Sequence, residues 1–227
     1  MEVKYIHDGQ LETAAFKLLV EYGVKYGEIR KPPIPVEEII ESYLQLDYGF
    51  DDLSKLLNTQ DVLGATWVKL KKICIDQSLD PSVDSGVLGR YRFTAAHEIG
   101  HWQLHRAQLL EDDQNLFETI QKPAIVCRKV FAKQPIEIQA DRFASFLLMP
   151  KHIVQNEWQL RYGSLEPYNA VAEISDINAR FGQTDRQPTT QVAKQLAKVF
   201  NVSGQAMQIR LVNLGLILTK RPEMKLF

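Results

Sequence analysis

The sequence predicts an α+β fold, with a mainly helical core carrying a small β-sheet and a helical C-terminal subdomain after it. Apolar residues recur at helical spacing through most of the chain, whereas one stretch alternates as a strand pair does. Two histidines stand four apart in His97-Glu98-Ile99-Gly100-His101, which places both imidazoles on one face of a helix. At 227 residues and 45% apolar composition, the chain can bury a sizeable core.

The elements can be justified in order. Leu11, Ala14, Ala15, Leu18, Leu19 and Tyr22 keep the i, i+3, i+4, i+7 spacing of a first helix. Pro32, Pro33 and Pro35 break the chain, and Val36, Ile39, Ile40, Tyr43 and Leu44 resume the helical period. Residues 62–76 read as a hairpin: Ala65–Leu70 and Ile73–Ile75 are β-branched and alternating around Lys71-Lys72, and this is the one convincing sheet signal. A loop from Asp76 to Gly86 delivers the chain to the helix with the histidines, for which Thr94 is the expected N-cap. The stretch 106–134 has no clear period. Pro135 suits a first helical residue and Pro150 a stop, with Ala140, Phe143, Ala144 and Leu147 as the stripe between them. Val192, Leu196, Val199 and Phe200, the turn Asn201-Val202-Ser203, and then Met207, Leu211 and Leu214 form a second helix pair.

Composition excludes several classes. Charged residues make up 24% with a net charge of -1, so the molecule as a whole is neither a polyanion binder nor a membrane-surface protein. From Pro188 onward, however, Lys194, Lys198, Arg210, Lys220, Arg221 and Lys225 face Glu223 alone, a local excess of five positive charges. The N-terminus lacks a basic start with an apolar run, and no apolar stretch approaches the roughly 18 residues of a membrane span. Cys74 and Cys127 are too few for a disulfide framework or a cysteine-rich zinc site, and both read as inert core thiols. A cytoplasmic protein is expected.

The histidine pair requires a partner. A zinc ion that does chemistry takes three protein ligands and keeps a position open, and Glu98 is placed to act as general base there. Glu137 is the best third ligand. In Glu137–Ala144 it shares a face with Asp141, Ala144 and Leu148, and carboxylates beside a core-facing stripe are costly unless they hold a metal or a polarised proton. Asp141, one turn on, is then the acceptor for a ligand histidine's Nδ1 proton. His105 continues the series but lies about 6 Å along the same helix, too far to close a tetrahedral site. It reads as packed or second to the metal. Glu111-Asp112-Asp113 reads as a solvated turn, and His7 and His152 have no supporting pattern. Gly100, inside a helix, costs about 1 kcal/mol relative to alanine, offset either by close approach of another element to the metal or by tight helix packing.

Arg92–His105, Glu137–Asp141 and Phe143–Pro150, with Asn201-Val202-Ser203 and Arg210–Ile217, together resemble the ImmA/IrrE family of bacterial zinc metallopeptidases over nearly the whole chain. The resemblance implies a zincin-like, gluzincin-like domain over 1–160 and a helix-turn-helix-like subdomain over 161–227. It implies that His97, His101 and Glu137 bind Zn2+, that Glu98 is the general base, and that Asp141 stands where asparagine is common. The implied substrate is a helix-turn-helix repressor of a mobile element or stress response, and no sensor domain is expected after the helical segment. An oxyanion donor is sought among Tyr162, Tyr168, His152 and Arg142. The alternative is a non-proteolytic regulator that binds a repressor, or DNA through Gln205, Gln208 and Arg210 of the C-terminal helices.

Overall fold

Helix α1 (Asp8–Tyr26) buries Leu11, Ala15, Leu18, Leu19 and Tyr22, the stripe its spacing requires. These and the following features come from a computed structural model that describes residues 4–112, 123, 125–128, 134–181 and 187–219. After the prolines, α2 (Val36–Glu38) runs into a wider π turn over Ile39–Tyr43, in which the Leu44 N–H reaches the Ile39 carbonyl at 2.9 Å. The expected helix is present with its last turn loosened.

The sheet is larger than the hairpin alone. It contains β1 (Asp47–Asp51), β2 (Val62–Trp67), β3 (Lys72–Asp76) and β4 (Ile125–Arg128) in the order β1-β3-β2-β4, with a short helix α3 (Leu53–Leu56) between the first two. Strands β2 and β3 are the antiparallel hairpin, with Ala65 opposite Cys74 and Lys71 turning at φ 50°. Strand β1 pairs parallel to β3, and its Asp-Tyr-Gly-Phe-Asp sequence is exposed or half-buried throughout; Tyr48 and Phe50 alternate in it, over too few residues to stand out beside the hairpin. Strand β4 lies antiparallel to β2, with Gly64 opposite Cys127.

Helix α4 (Leu88–Leu104) corrects the N-cap assignment. It grows out of a 3-10 turn over Ser85–Val87, where the Asp84 side chain accepts the Gly86 N–H at 2.8 Å, so Thr94 lies inside the helix and is 4% exposed. The local aspartate starts the chain's helical run at Ser85, well before Thr94, where the apolar period becomes visible. After α5 (Arg106–Asp112), helix α6 (Pro135–Leu148) opens on its proline and buries Ala140, Phe143, Ala144 and Leu147 completely.

Helices α4 and α6 pack at Gly100. A Cβ there would stand 3.2 Å from the Cα and carbonyl oxygen of Ala140 and 3.3 Å from Phe143 Cδ1. Both readings of the glycine therefore meet in one contact, since the close packing is what brings α6 to the histidines. Gly100→Ala should gain about 1 kcal/mol of helix propensity but cost about 1–3 kcal/mol in overpacking. We expect a Tm lower by about 2–4 °C for a net loss near 1 kcal/mol, with weaker metal binding; an unchanged melting curve and metal affinity would show that the helices slide apart freely.

The chain divides into two units, Met1–Leu148 and Met149–Phe227, one helix ahead of residue 160. The second unit contains α7 (Lys151–Tyr162), β5 (Tyr168–Asn169), α8 (Val171–Phe181), α9 (Gln191–Phe200), α10 (Gly204–Asn213) and β6 (Ile217–Leu218), with β5 parallel to β6. Helix α9 is capped by Thr190 and ends at Asn201 in the left-handed conformation, and Ser203 caps α10 through the Ala206 N–H. Leu196, Phe200, Met207 and Leu211 close this helix pair and are fully buried. Among the candidate DNA contacts, Gln208 is 1% exposed and accepts from Thr190, while Arg210 is 2% exposed and donates to the Met149 carbonyl at 2.9 Å. Gln205 is half-buried. The side chains of Glu111-Asp112-Asp113, the segments 113–122 and 129–133, and Lys220, Arg221, Glu223 and Lys225 lie outside the described residues. Among the described residues no helix is long and apolar enough to cross a membrane.

Candidate metal centre

One turn of α4 separates His97 from His101, and their Nε2 atoms approach to 2.9 Å. In the first turn of α6, Glu137 brings Oε2 to 3.2 Å from His97 Nε2 and Oε1 to 3.4 Å from His101 Nε2. Asp141, one turn further, lies 2.9 Å from His97 Nδ1 through Oδ1. Both histidines are at most 2% exposed. Four residues singled out from spacing and from a shared helix face thus converge from two helices.

The hydrogen bonds assign the tautomers. The Gln139 amide donates to the Lys4 carbonyl at 2.9 Å, which turns its Oε1 toward His105 Nε2, 3.0 Å away. That ring nitrogen must then carry the proton, so His105 Nδ1 is an acceptor. His101 Nδ1, 3.1 Å from it, donates, and His101 Nε2 is left with a lone pair facing Glu137. His97 Nδ1 donates to the Asp141 carboxylate in the same way. His105 is therefore second to the site, and Gln139 is a positioning residue that the sequence reading passed over.

Charge follows from this geometry. Burial lowers the His101 imidazole to about 4, so it is neutral near pH 7. Burial also opposes charge on His97, but Cys127, Asp141 and Glu137 around it raise that ring well above its ordinary value. Burial would raise the Glu137 carboxyl, yet its bonds to His101 and His97 hold it well below the usual carboxylate range. The cluster therefore recruits one positive charge among convergent acceptors, and His101 Nε2 and Glu137 Oε1 have no proton of their own to share. A divalent cation that displaces the His97 Nε2 proton satisfies both Nε2 atoms and the Glu137 carboxylate together, and the two-imidazole, one-carboxylate donor set suits zinc.

Glu98 is wholly buried against the sheet. Its Oε2 accepts the Thr66 hydroxyl at 2.6 Å, and its Oε1 has no partner among the described residues. Burial chiefly raises its pKa to about 7, with a further rise from Glu137 and opposition from His97 and Thr66. Gly64 makes room for it, since a Cβ there would stand 2.6 Å from Oε1. Thr66 and Gly64 had no local signal, lying in a strand about thirty residues before the helix they serve; only the sheet register reveals them.

Cys127 corrects the assignment of an inert core thiol. It is half-buried in β4, and its sulfur lies with the ligand atoms of His97 and Glu137 within 4.8 Å of one another. Cys74 does lie in an apolar cluster with Leu53, Val62, Ala65 and Trp67. Arg142 pairs with Asp8 instead of turning to the histidines, and the Tyr168 hydroxyl bonds Glu173. His7 sits at the start of α1 against Tyr5. Asp141→Ala should lower zinc affinity about 10–100-fold, as loss of a histidine's outer partner does; isothermal titration should record it, and an unchanged affinity would remove Asp141 from the ligand's support.

The family model described as the IrrE N-terminal-like domain, Peptidase M78, matches residues 71–212. No curated protein matches the chain. A solved structure described as a Mycobacterium tuberculosis transcriptional regulator is similar at a TM-score of 0.46 and 20% identity, over 91% of this chain and 56% of that one. The chain thus spans little more than half the length of that neighbour.

Proposed function

The chain belongs to the Peptidase M78 family of IrrE N-terminal-like domains, and on that footing we propose that it is a cytoplasmic zinc-dependent metalloendopeptidase whose substrate is a helix-turn-helix transcriptional repressor. Its main support is the convergence of His97 Nε2, His101 Nε2 and the Glu137 carboxylate from two helices onto one point, where a divalent cation can join them. His97, His101 and Glu137 hold the metal, and Asp141 and the His105–Gln139 pair fix the rings. When bound, zinc supplies a Lewis acid that polarises the scissile carbonyl and acidifies water.

Glu98 takes the proton from the attacking water and returns it to the leaving amine. A carboxyl drawn by burial to about 7 is matched to both transfers near neutral pH. Its Oε2 is anchored by Thr66 while Oε1 has no partner among the described residues, so one oxygen is held and the other remains available for the proton. The inward-turned Gln208 and Arg210 give the C-terminal helices no base-reading face of the expected kind, which favours a protein substrate over DNA. Incubation of the zinc-loaded protein with the repressor encoded beside its own gene should give one defined cut. An intact repressor after prolonged incubation would count against peptidase action on it.

A further inference from the structure

We propose that Cys127 is a fourth ligand of the metal held by His97, His101 and Glu137, so that its thiolate closes the resting site. This rests on the metal reading above and goes beyond it, because a site with three protein ligands is open for catalysis and one with four is closed.

The placement is specific. Strand β4 pairs with β2 so that Cys127 lies opposite Gly64, the residue against which Glu98 is packed. There the ligand atoms of His97, Cys127 and Glu137 all lie within 4.8 Å of one another. Around a tetrahedral zinc, nitrogen, oxygen and sulfur ligand atoms stand about 3.3–3.8 Å apart, so ligation needs only a small contraction of the group. Beside it, Glu98 Oε1 is a fully buried acceptor without a partner among the described residues. The other cysteine provides the contrast: Cys74, in β3 of the same sheet, with β2 between it and β4, packs among apolar side chains.

The chemistry balances without an oxidant. On ligation the Cys127 S–H gives its proton to solvent and a sulfur–zinc bond forms; on opening that bond breaks, the sulfur regains a proton, and a water takes the vacated position. Opening therefore precedes each productive encounter, and it makes peptidase activity subject to whatever draws β4 away from the ligands.

Cobalt(II) provides the test, substituted into the full chain in place of zinc. Wild-type protein should bind one equivalent and show a thiolate-to-cobalt charge-transfer band in the near ultraviolet. Cys127→Ala and Cys127→Ser should both lose that band while keeping the visible bands of a bound cobalt ion, and their zinc affinity should fall by about tenfold or more, at least the effect of losing an outer hydrogen-bond partner. In the unmutated protein, zinc should slow alkylation of Cys127 by about tenfold relative to chelated protein, because a bound thiolate is withdrawn from attack. Stoichiometric cobalt without the band, together with alkylation indifferent to zinc, would overturn the fourth ligand and leave the three-ligand site standing. Failure to bind any metal would overturn both.

Discussion

Glu98→Gln should keep zinc and lose cleavage by about 10²–10⁴-fold, the usual contribution of a positioned general base. The substitution preserves volume, and the glutamine carbonyl can still accept the Thr66 hydroxyl that now bonds Oε2 at 2.6 Å. Folding should not suffer, because an amide is cheaper to bury than a carboxylate at a wholly enclosed position. Activity and metal content therefore separate: the variant should contain the same zinc per chain and show the same melting curve, yet leave the repressor intact. A variant that cuts at the wild-type rate would remove Glu98 from the mechanism.

Glu137→Ala should act at the other level and abolish metal binding itself. Without the carboxylate, two imidazoles remain on one helix, of which burial keeps His101 neutral, and the carboxylate that faces both Nε2 atoms is gone. The effect should also appear in stability. Zinc present at a hundredfold over its Kd contributes about 2.7 kcal/mol, equivalent to about 5–10 °C in Tm for a chain of this size. Wild-type protein should therefore melt at a lower temperature when a chelator is added, and Glu137→Ala should melt at one temperature with or without it. If the variant still gained stability from zinc, the third ligand would have to be another group.

The helical half of the site was legible because helix geometry is local. A spacing of four places His97 and His101 on one face, and the same spacing relates Glu137 to Asp141, so each pair could be read from its own segment. The amphipathic stripes of α1, α6, α9 and α10 were visible for the same reason. What the sequence concealed depends on tertiary register. Thr66 meets Glu98 because β2 packs on α4, and Cys127 meets His97 because β4 pairs with β2, relations that no local period encodes. Strand β1 was overlooked because it is short and its alternating Tyr48 and Phe50 are not buried, and the start of α4 because an aspartate initiates a 3-10 turn before the apolar pattern begins. Gln139 was overlooked although it lies between two residues that were read, because its part depends on the Lys4 carbonyl from the other end of the chain.

The most direct measurement is a crystal structure of the zinc-loaded protein with anomalous scattering recorded at the zinc edge. The account predicts one strong peak within bonding distance of His97 Nε2, His101 Nε2 and the Glu137 carboxylate. No peak there, or a peak held by other side chains while these three face one another without it, would contradict the account.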